Sequence, residues 1–285
     1  MSTLQNKIDF AVVLRVKNAN PNGDPLNGNR PRTDYRNFGE ISDVAIKRKI
    51  RNRLMDEGKA VFVQSDDRKT DQAGSLRERA DAALDMKKKP DEIAKQACEK
   101  WLDVRAFGQL LAFKAKKKAA KKPAAEASSE DEGGVSIGIR GPVSVQPAFS
   151  MEPIEVTSTQ ITKSVNSEGD GEKRGSDTMG MKHRVDGGVY RFFGSMNPQL
   201  AERTGFSNDD AETIKSVLPK LFENDESSAR PSGSMQVLKV YWWKHNNKSG
   251  QYSSARVHGS LTVNPDGSSS TIDLPGLKPE PIDGF

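Results

Sequence analysis

Apolar runs in this chain are short, and their spacing sets the expected elements. Residues 8–16, "IDFAVVLRV", are β-branched and bounded by polar residues, the pattern of a buried strand. A strand that only reverses needs about two to five residues of turn. Here "NANPNGDPLNGNRPRTDY", residues 18–35, continues much further. Loops of that length carry function or stay unstructured. Next, "ISDVAIKRKIRNRLMDEG" places Ile46, Ile50 and Leu54 at every fourth position, predicting a core-facing helix over 41–58. Ser42 or Asp43 serves as its N-cap and Gly58 stands where a C-cap belongs. "KAVFVQ" then reads as a second strand. A charged segment follows from 66 to 89, and Pro90 opens a further helix running to 113. Its Ile93, Ala97, Trp101 and Val104 fall at helical spacing, as in a docked insertion.

Residues 114–134, "KAKKKAAKKPAAEASSEDEGG", are low in complexity and charge-segregated, so a flexible tract is expected. "VSIGIRGPVSVQPAFS" reads as a strand pair or one bent strand. The polar excursion over 154–193 predicts a projecting hairpin with a mobile tip at 166–177. A helix follows in "SNDDAETIKSVLPKLFEN", capped by Ser207 or Asn208. "GSMQVLKVYWWKH" and "ARVHGSLTV" read as strands, and 264–285 as a Pro- and Gly-rich tail. With the insertions set aside, the order resembles the split βαβ pattern of ferredoxin-like folds. The expectation is one α+β domain over 1–285 with an insertion at 66–134 and a hairpin at 154–193.

Composition narrows the function. The 285 residues are 34% hydrophobic and 29% charged, with a formal net charge of +5. That balance favours acidic partners, and nucleic acid over membrane, since no apolar stretch approaches the roughly 20 residues that span a bilayer. The N-terminus has no apolar signal-peptide core. A single cysteine, Cys98, excludes an internal disulfide and suits a reducing cytoplasm. It reads as a small buried residue rather than a nucleophile. No C-x-x-C, H-E-x-x-H or P-loop pattern occurs, and His183, His245 and His258 are far apart in sequence. No metal or cofactor is expected. Asp66 and Asp67 read as solvated loop acids. Asp24, between Gly23 and Pro25, is explained by an Asx-turn without any catalysis.

The basic residues are better organised. Lys47, Arg48 and Arg51 share one side of the first helix, and few acids lie within that helix to compensate them. Such a face, with the free N–H groups at the Ser42 end, suits an anion; the plainer reading is a solvated cationic face. Arg15 and Lys17 end the first strand, and Arg30 and Arg32 lie in the loop. Thr162 and Lys163 stand on one arm of the hairpin, Lys182, His183 and Arg184 on the other. Met179 and Met181, alternating with Gly180, suit either an apolar wedge between bases or simple packing on their own sheet.

Three stretches carry a family resemblance: "NANPNGDPLNGNRPRTD", "ISDVAIKRKIRNRL" and "FGSMNP" at 193–198. The chain resembles the CRISPR-associated backbone subunit of type I Cascade complexes, most closely the type I-C version. The resemblance spans most of the chain except 114–134. It implies an RNA-recognition-motif-like core elaborated into palm, finger insertion and thumb hairpin. It also implies copies of the chain lined up along one CRISPR RNA, other Cascade subunits, target DNA reached through the guide, and a recruited helicase-nuclease. Such subunits are not nucleases. The loop's Asn18, Asn20 and Asn22 are then expected on phosphates and ribose, and Ser42, Lys47, Arg48 and Arg51 on the RNA backbone. Backbone reading is required because the guide sequence changes while the protein does not. The aromatic signature of ordinary RNA-recognition domains is absent; "VYRFFGSM" comes nearest and fails. An endoribonuclease using Asp24 is the alternative, by analogy with type III relatives. A general single-strand binder is the third reading.

Overall fold

The computed structural model describes residues 2–113, 135–162 and 179–285. The Lys-rich tract 114–134, the hairpin tip 166–177 and Lys163 lie outside the described residues. The first strand, β1 (Ile8–Ala19), is buried at every position from Ile8 to Leu14. It is covered on both faces, which is why its sequence is continuous rather than alternating. The opening loop is itself folded. β2 (Gly23–Asp24) pairs with β3 (Arg30–Pro31) around a 3-10 turn, Pro25–Asn27. β4 (Phe38–Ile41) leads into α1 (Asp43–Asp56), whose N-cap Ser42 accepts a hydrogen bond from the Ala45 N–H. Gly58 follows at φ 72°, the left-handed geometry that ends a helix.

The insertion holds α2 (Leu76–Ala83), α3 (Pro90–Lys100), α4 (Leu102–Phe107), β5 (Gly108–Phe113) and β6 (Val135–Arg140). β5 and β6 form a two-stranded sheet, and Phe62, Ile93, Ala97, Trp101, Val104 and Leu111 build a core separate from the main one. Two expectations fail here. "KAVFVQ" is not a strand: the N–H groups of Phe62 and Val63 donate to the Asp103 carboxylate at 2.7 and 3.1 Å. A buried segment whose donors are met by a side chain needs no ladder. The helix from Pro90 breaks after Lys100 and again at Gly108, where φ is 79° and an added Cβ would lie 2.3 Å from the Ile139 carbonyl oxygen.

Beyond it come β7 (Val143–Val145), β8 (Ala148–Pro153), β9 (Val156–Thr162) and the long β10 (Met179–Met196). β9 pairs with β10 from Val156↔Val185 to Thr162↔Met179, the two arms of the expected hairpin. α5 (Pro198–Thr204) and α6 (Asn208–Val217) follow, the latter opened by a capping box from Ser207 and Asp210. β11 (Met235–Lys244), α7 (Ser254–Gly259), β12 (Leu261–Val263), β13 (Ser269–Thr271) and β14 (Glu280–Asp283) complete the chain. "ARVHGSLTV" is therefore mostly helix, because Ser253 caps the Arg256 N–H and Val257 and His258 turn inward. The tail also contributes structure, since β14 pairs with β11 at the sheet edge.

The main sheet runs β14-β11-β1-β10-β8-β4, with antiparallel pairing throughout. On one face Phe10, Val12 and Leu14 join Ile46, Ile50, Ile214 and Trp242 under α1 and α6. On the other, Ala11, Val13 and Trp243 pack with Val257, Leu261 and Leu274 of the C-terminal segment. Gly194 has no side chain because its register partner Phe10 occupies that space; an added Cβ would sit 2.1 Å from the ring. No helix among the described residues is long and apolar enough to cross a membrane.

Candidate nucleic-acid interface

The opening loop and the β9–β10 hairpin meet at the end of β1. Asn18 takes a left-handed φ of 54°, turning the chain out of the strand. Asn20 is then carried inward, to 4% exposure. Its N–H donates to the Ala229 carbonyl at 2.8 Å and its Nδ2 to the Asn29 carbonyl at 2.6 Å. The second bond fixes the amide orientation, because a flip would set oxygen against oxygen. Asn20 Oδ1 is left buried with no hydrogen-bond partner among the described residues. Asn22 faces elsewhere: its Oδ1 accepts the Ser42 N–H at 2.9 Å, so the loop is tied to the start of α1 and that N–H is no longer open to an anion.

From the hairpin side, Ser158 joins the two elements. Arg30 Nη1 donates to Ser158 Oγ at 2.9 Å, and His183 Nδ1 lies 2.9 Å from the same oxygen. Between them lies a pocket of about 270 Å³ lined by Asn20, Asn29, Ile161, Met181, Lys182 and Ala229. Met179 and Met181 share one face of β10 and stay 57% and 55% exposed, with Thr162 opposite Met179. They are not packed into a core. Lys182 has no ion-pair partner among the described residues, whereas Arg184 pairs with Asp186 at 3.1 Å.

Asp24 is occupied. Its carboxylate caps the 3-10 turn by accepting the Leu26 N–H at 3.2 Å and lies 3.5 Å from the Arg32 guanidinium. Arg15 and Lys17 are not brought to the pocket. They line a shallow depression with Glu152, Asp186 and Asp266, and Arg15 donates to the Asp266 carbonyl at 3.1 Å.

The expectation that α1 bears uncompensated charge is overturned. Lys47 pairs with Asp43 at 3.0 Å, Arg48 with Asp67 at 3.4 Å and Arg51 with the buried Asp103 at 3.0 Å. Arg51 also lies over the Phe107 ring at 5.2 Å. Lys49, on the buried side, pairs with Asp225. Burial pulls its ammonium down to about 8, against the attraction of Asp225. In the unfolded chain the same lysine keeps its proton to about 10.4. Between those values the unfolded chain holds more protons, so this group makes stability rise with pH in that window. Lys49→Met is expected to remove that rise. Urea midpoints of variant and wild type at pH 7.5 and pH 10 check it; an equal gap at both pH values contradicts it.

The sheet face opposite α1 offers no open base-stacking platform at Phe193. His258 stacks on that ring at 4.5 Å and 13°, and the Arg191 guanidinium lies 4.6 Å from its centroid. Burial lowers the His258 pKa, against the opposing attraction of Asp9. The residues that sequence reasoning missed are Gly28, Asn29, Ile161, Ser228 and Ala229 in the pocket wall. The last two sit in a turn without periodicity and offered no signal.

The sequence matches the family of CRISPR-associated protein Cas7 over residues 6–274. The chain belongs to that family. The match takes in the insertion, the hairpin and the covered sheet face, and stops short of β14. A CRISPR-associated protein Cas7 of Haloferax volcanii is 28% identical over 276 residues, covering 95% of this chain and 78% of that one. Among solved structures, a chain of a CRISPR RNA-guided surveillance complex aligns with TM-score 0.45 and 17% identity, over 92% of this chain and 77% of its own. A chain of such a complex in a pre-nicking state aligns with TM-score 0.45 and 16% identity, over 83% and 78%. Within the Cas7 family, then, this chain pairs a folded Asn- and Gly-rich loop with a methionine-bearing hairpin.

Proposed function

We propose that this Cas7-family chain is a non-catalytic backbone subunit that holds a CRISPR RNA through phosphate and ribose contacts. Its copies line up along one guide and present it for pairing with target DNA. The observation that carries the reading is the pocket between loop and hairpin, walled in part by Asn20, whose side-chain Oδ1 is buried behind that wall with no hydrogen-bond partner among the described residues. An orphaned acceptor calls for a donor, and the ribose 2′-hydroxyl is the donor that every RNA nucleotide carries whatever its base. Lys182 supplies charge for a phosphate, and Met181 supplies an apolar surface against a base or sugar.

The order β11-β1-β10-β8, with α1 and α6 in the crossovers, supports a ferredoxin-like, RNA-recognition-like palm. The insertion's separate core supports a finger, and the β9–β10 arms a thumb. The opening-loop motif favours the type I-C version, with other Cascade subunits and a recruited helicase-nuclease as partners. The buried Cys98, its thiol pushed up to about 11 by burial, suits a reducing cytoplasm. Against an endoribonuclease counts the engagement of Asp24 by Leu26 and Arg32.

Incubation with a long end-labelled RNA and Mg²⁺, followed by light nuclease digestion, tests this reading. The expected result is an evenly spaced protection ladder with no cuts before nuclease is added. Periodic cuts without nuclease that vanish in Asp24→Ala would make the chain an enzyme.

A further inference from the structure

Residues 221–234, between the 3-10 turn Leu218–Lys220 and β11, belong to no helix or strand. They nevertheless supply Ser228 and Ala229 to the wall of the loop–hairpin pocket. The Ala229 carbonyl accepts the Asn20 N–H at 2.8 Å, so this segment and the opening loop share that wall. A segment without a ladder needs another source of position, since its conformational freedom would otherwise blur the wall.

Side chains supply it. Ser227 and Arg230 close a turn, each N–H donating to the other's carbonyl at 2.9 and 3.0 Å. Asp225, just before the turn, accepts from Arg230 Nε at 3.1 Å and ties the turn's end back to its start. The same carboxylate accepts from Lys49 Nζ on both of its oxygens. Lys49 lies on the buried side of α1; its side chain is 10% exposed and that of Asp225 12%. Among the described residues, both ion pairs of residues 221–234 run through Asp225. An independent tie comes from the insertion, where Arg68 Nη2 donates to the Asn224 carbonyl while Nη1 donates to Asp56 of α1 at 3.1 Å. Of the cations on α1, Lys49 is the one whose carboxylate partner belongs to the pocket segment.

We propose that Asp225 is a positioning residue for the pocket, clamping Arg230 to Lys49 of α1 so that the Ser228–Ala229 wall stays in place beside Asn20. This role rests on the guide-binding reading of that pocket. Asp225 is outside the pocket lining and acts through Arg230 and Ala229. The clamp has a limit in pH. Burial draws the Lys49 ammonium down to about 8; Asp225 attracts it, while Arg230 from the turn and Arg48 from α1 repel it. Above that value Lys49 loses its proton and the α1 half of the clamp lapses, while the Arg230 guanidinium stays charged. Because the same titration raises stability, a loss of RNA binding in that window is not a loss of fold.

Two readouts on full-length protein test the clamp. The first is amide hydrogen exchange without RNA. In Asp225→Asn the Asn20 N–H is expected to exchange about tenfold faster, while the amides from Phe10 to Leu14 in β1 keep their rates. Arg230→Gln, at a side chain 26% exposed, repeats the measurement at less risk to the fold. The second is affinity for a single-stranded RNA of A and C only, whose bases do not titrate between pH 7 and pH 9. Wild type is expected to lose about threefold across that range. Asp225→Asn should start about fivefold weaker, as when the competent wall is populated about one-fifth of the time, and stay flat with pH. Asn20 exchange that merely tracks β1 in both variants overturns the proposal. So does weaker RNA binding with unchanged Asn20 exchange, which would make the effect one of charge alone. Faster Asn20 exchange with unchanged RNA affinity removes the clamp's role in binding. If wild type binds no RNA, the guide-binding reading fails by itself, and Asn20 exchange still decides whether Asp225 holds the wall.

Discussion

Replacing Arg30 and Lys182 together with Ala is expected to weaken binding of single-stranded RNA by roughly 10- to 100-fold at moderate salt. Arg30 is held beside the pocket by its bond to Ser158, which spares it much of the side-chain entropy of engaging a phosphate. Lys182 lines the pocket without an ion-pair partner among the described residues, so no described ion pair has to be broken for it to bind. If each removes one phosphate contact, the slope of log affinity against log salt should become shallower by about 0.7 per residue. Both arms are measured by fluorescence anisotropy at several salt concentrations. Lys47→Ala/Arg48→Ala is the comparison, and a smaller loss is expected because both cations already have carboxylate partners. Equal losses in the two double variants would return the binding face to α1.

The second large effect concerns stability. Asp103 is 1% exposed and is engaged three ways: by the N–H groups of Phe62 and Val63 and by the Arg51 guanidinium. It links the insertion to α1 and substitutes for a strand ladder beneath Phe62. Asp103→Ala strands a largely covered guanidinium and two backbone donors, and is expected to cost about 3–5 kcal/mol. In a chain of this size that lowers the melting temperature by roughly 10 °C. Combining it with Arg51→Met should recover part of the loss, because the unpaired, largely covered charge is gone. A shift under about 2 °C for the single variant would mean water replaces the carboxylate without penalty.

Local chemistry explains which elements were readable. α1 was visible because Ile46, Ile50 and Leu54 mark one stripe and Ser42 caps it, both set within a few residues. α6 was visible through its cap candidates Ser207 and Asn208, of which the structure uses Ser207. β1 showed as an unbroken apolar run, since the C-terminal segment covers its second face. What failed depended on distant partners. "KAVFVQ" has strand-like residues, yet its backbone donors are met by a carboxylate about 40 positions later. The charge on α1 looked free because Asp67, Asp103 and Asp225 come from outside the helix.

The candidate site was legible only in part. The loop's abundance of Asn and Gly marked one wall of the loop–hairpin pocket, and the alternating methionines marked the strand on its other side. Individual roles were not separable by sequence. Asn20 reaches the pocket, Asn22 caps the approach to α1 and Asp24 closes a turn, although all three sit in one polar stretch. Only the backbone path, with Asn18 in a left-handed turn, sorts them.

The central claim is that RNA is held by its backbone and ribose, without regard to sequence. The direct measurement is the affinity of the wild-type protein for two guide-length RNAs of unrelated sequence, alongside the DNA version of one of them. The two RNAs should bind within about threefold of each other, and the DNA about tenfold more weakly for lack of the 2′-hydroxyl. A tenfold preference for one RNA sequence, or DNA binding as tight as RNA, would contradict the account.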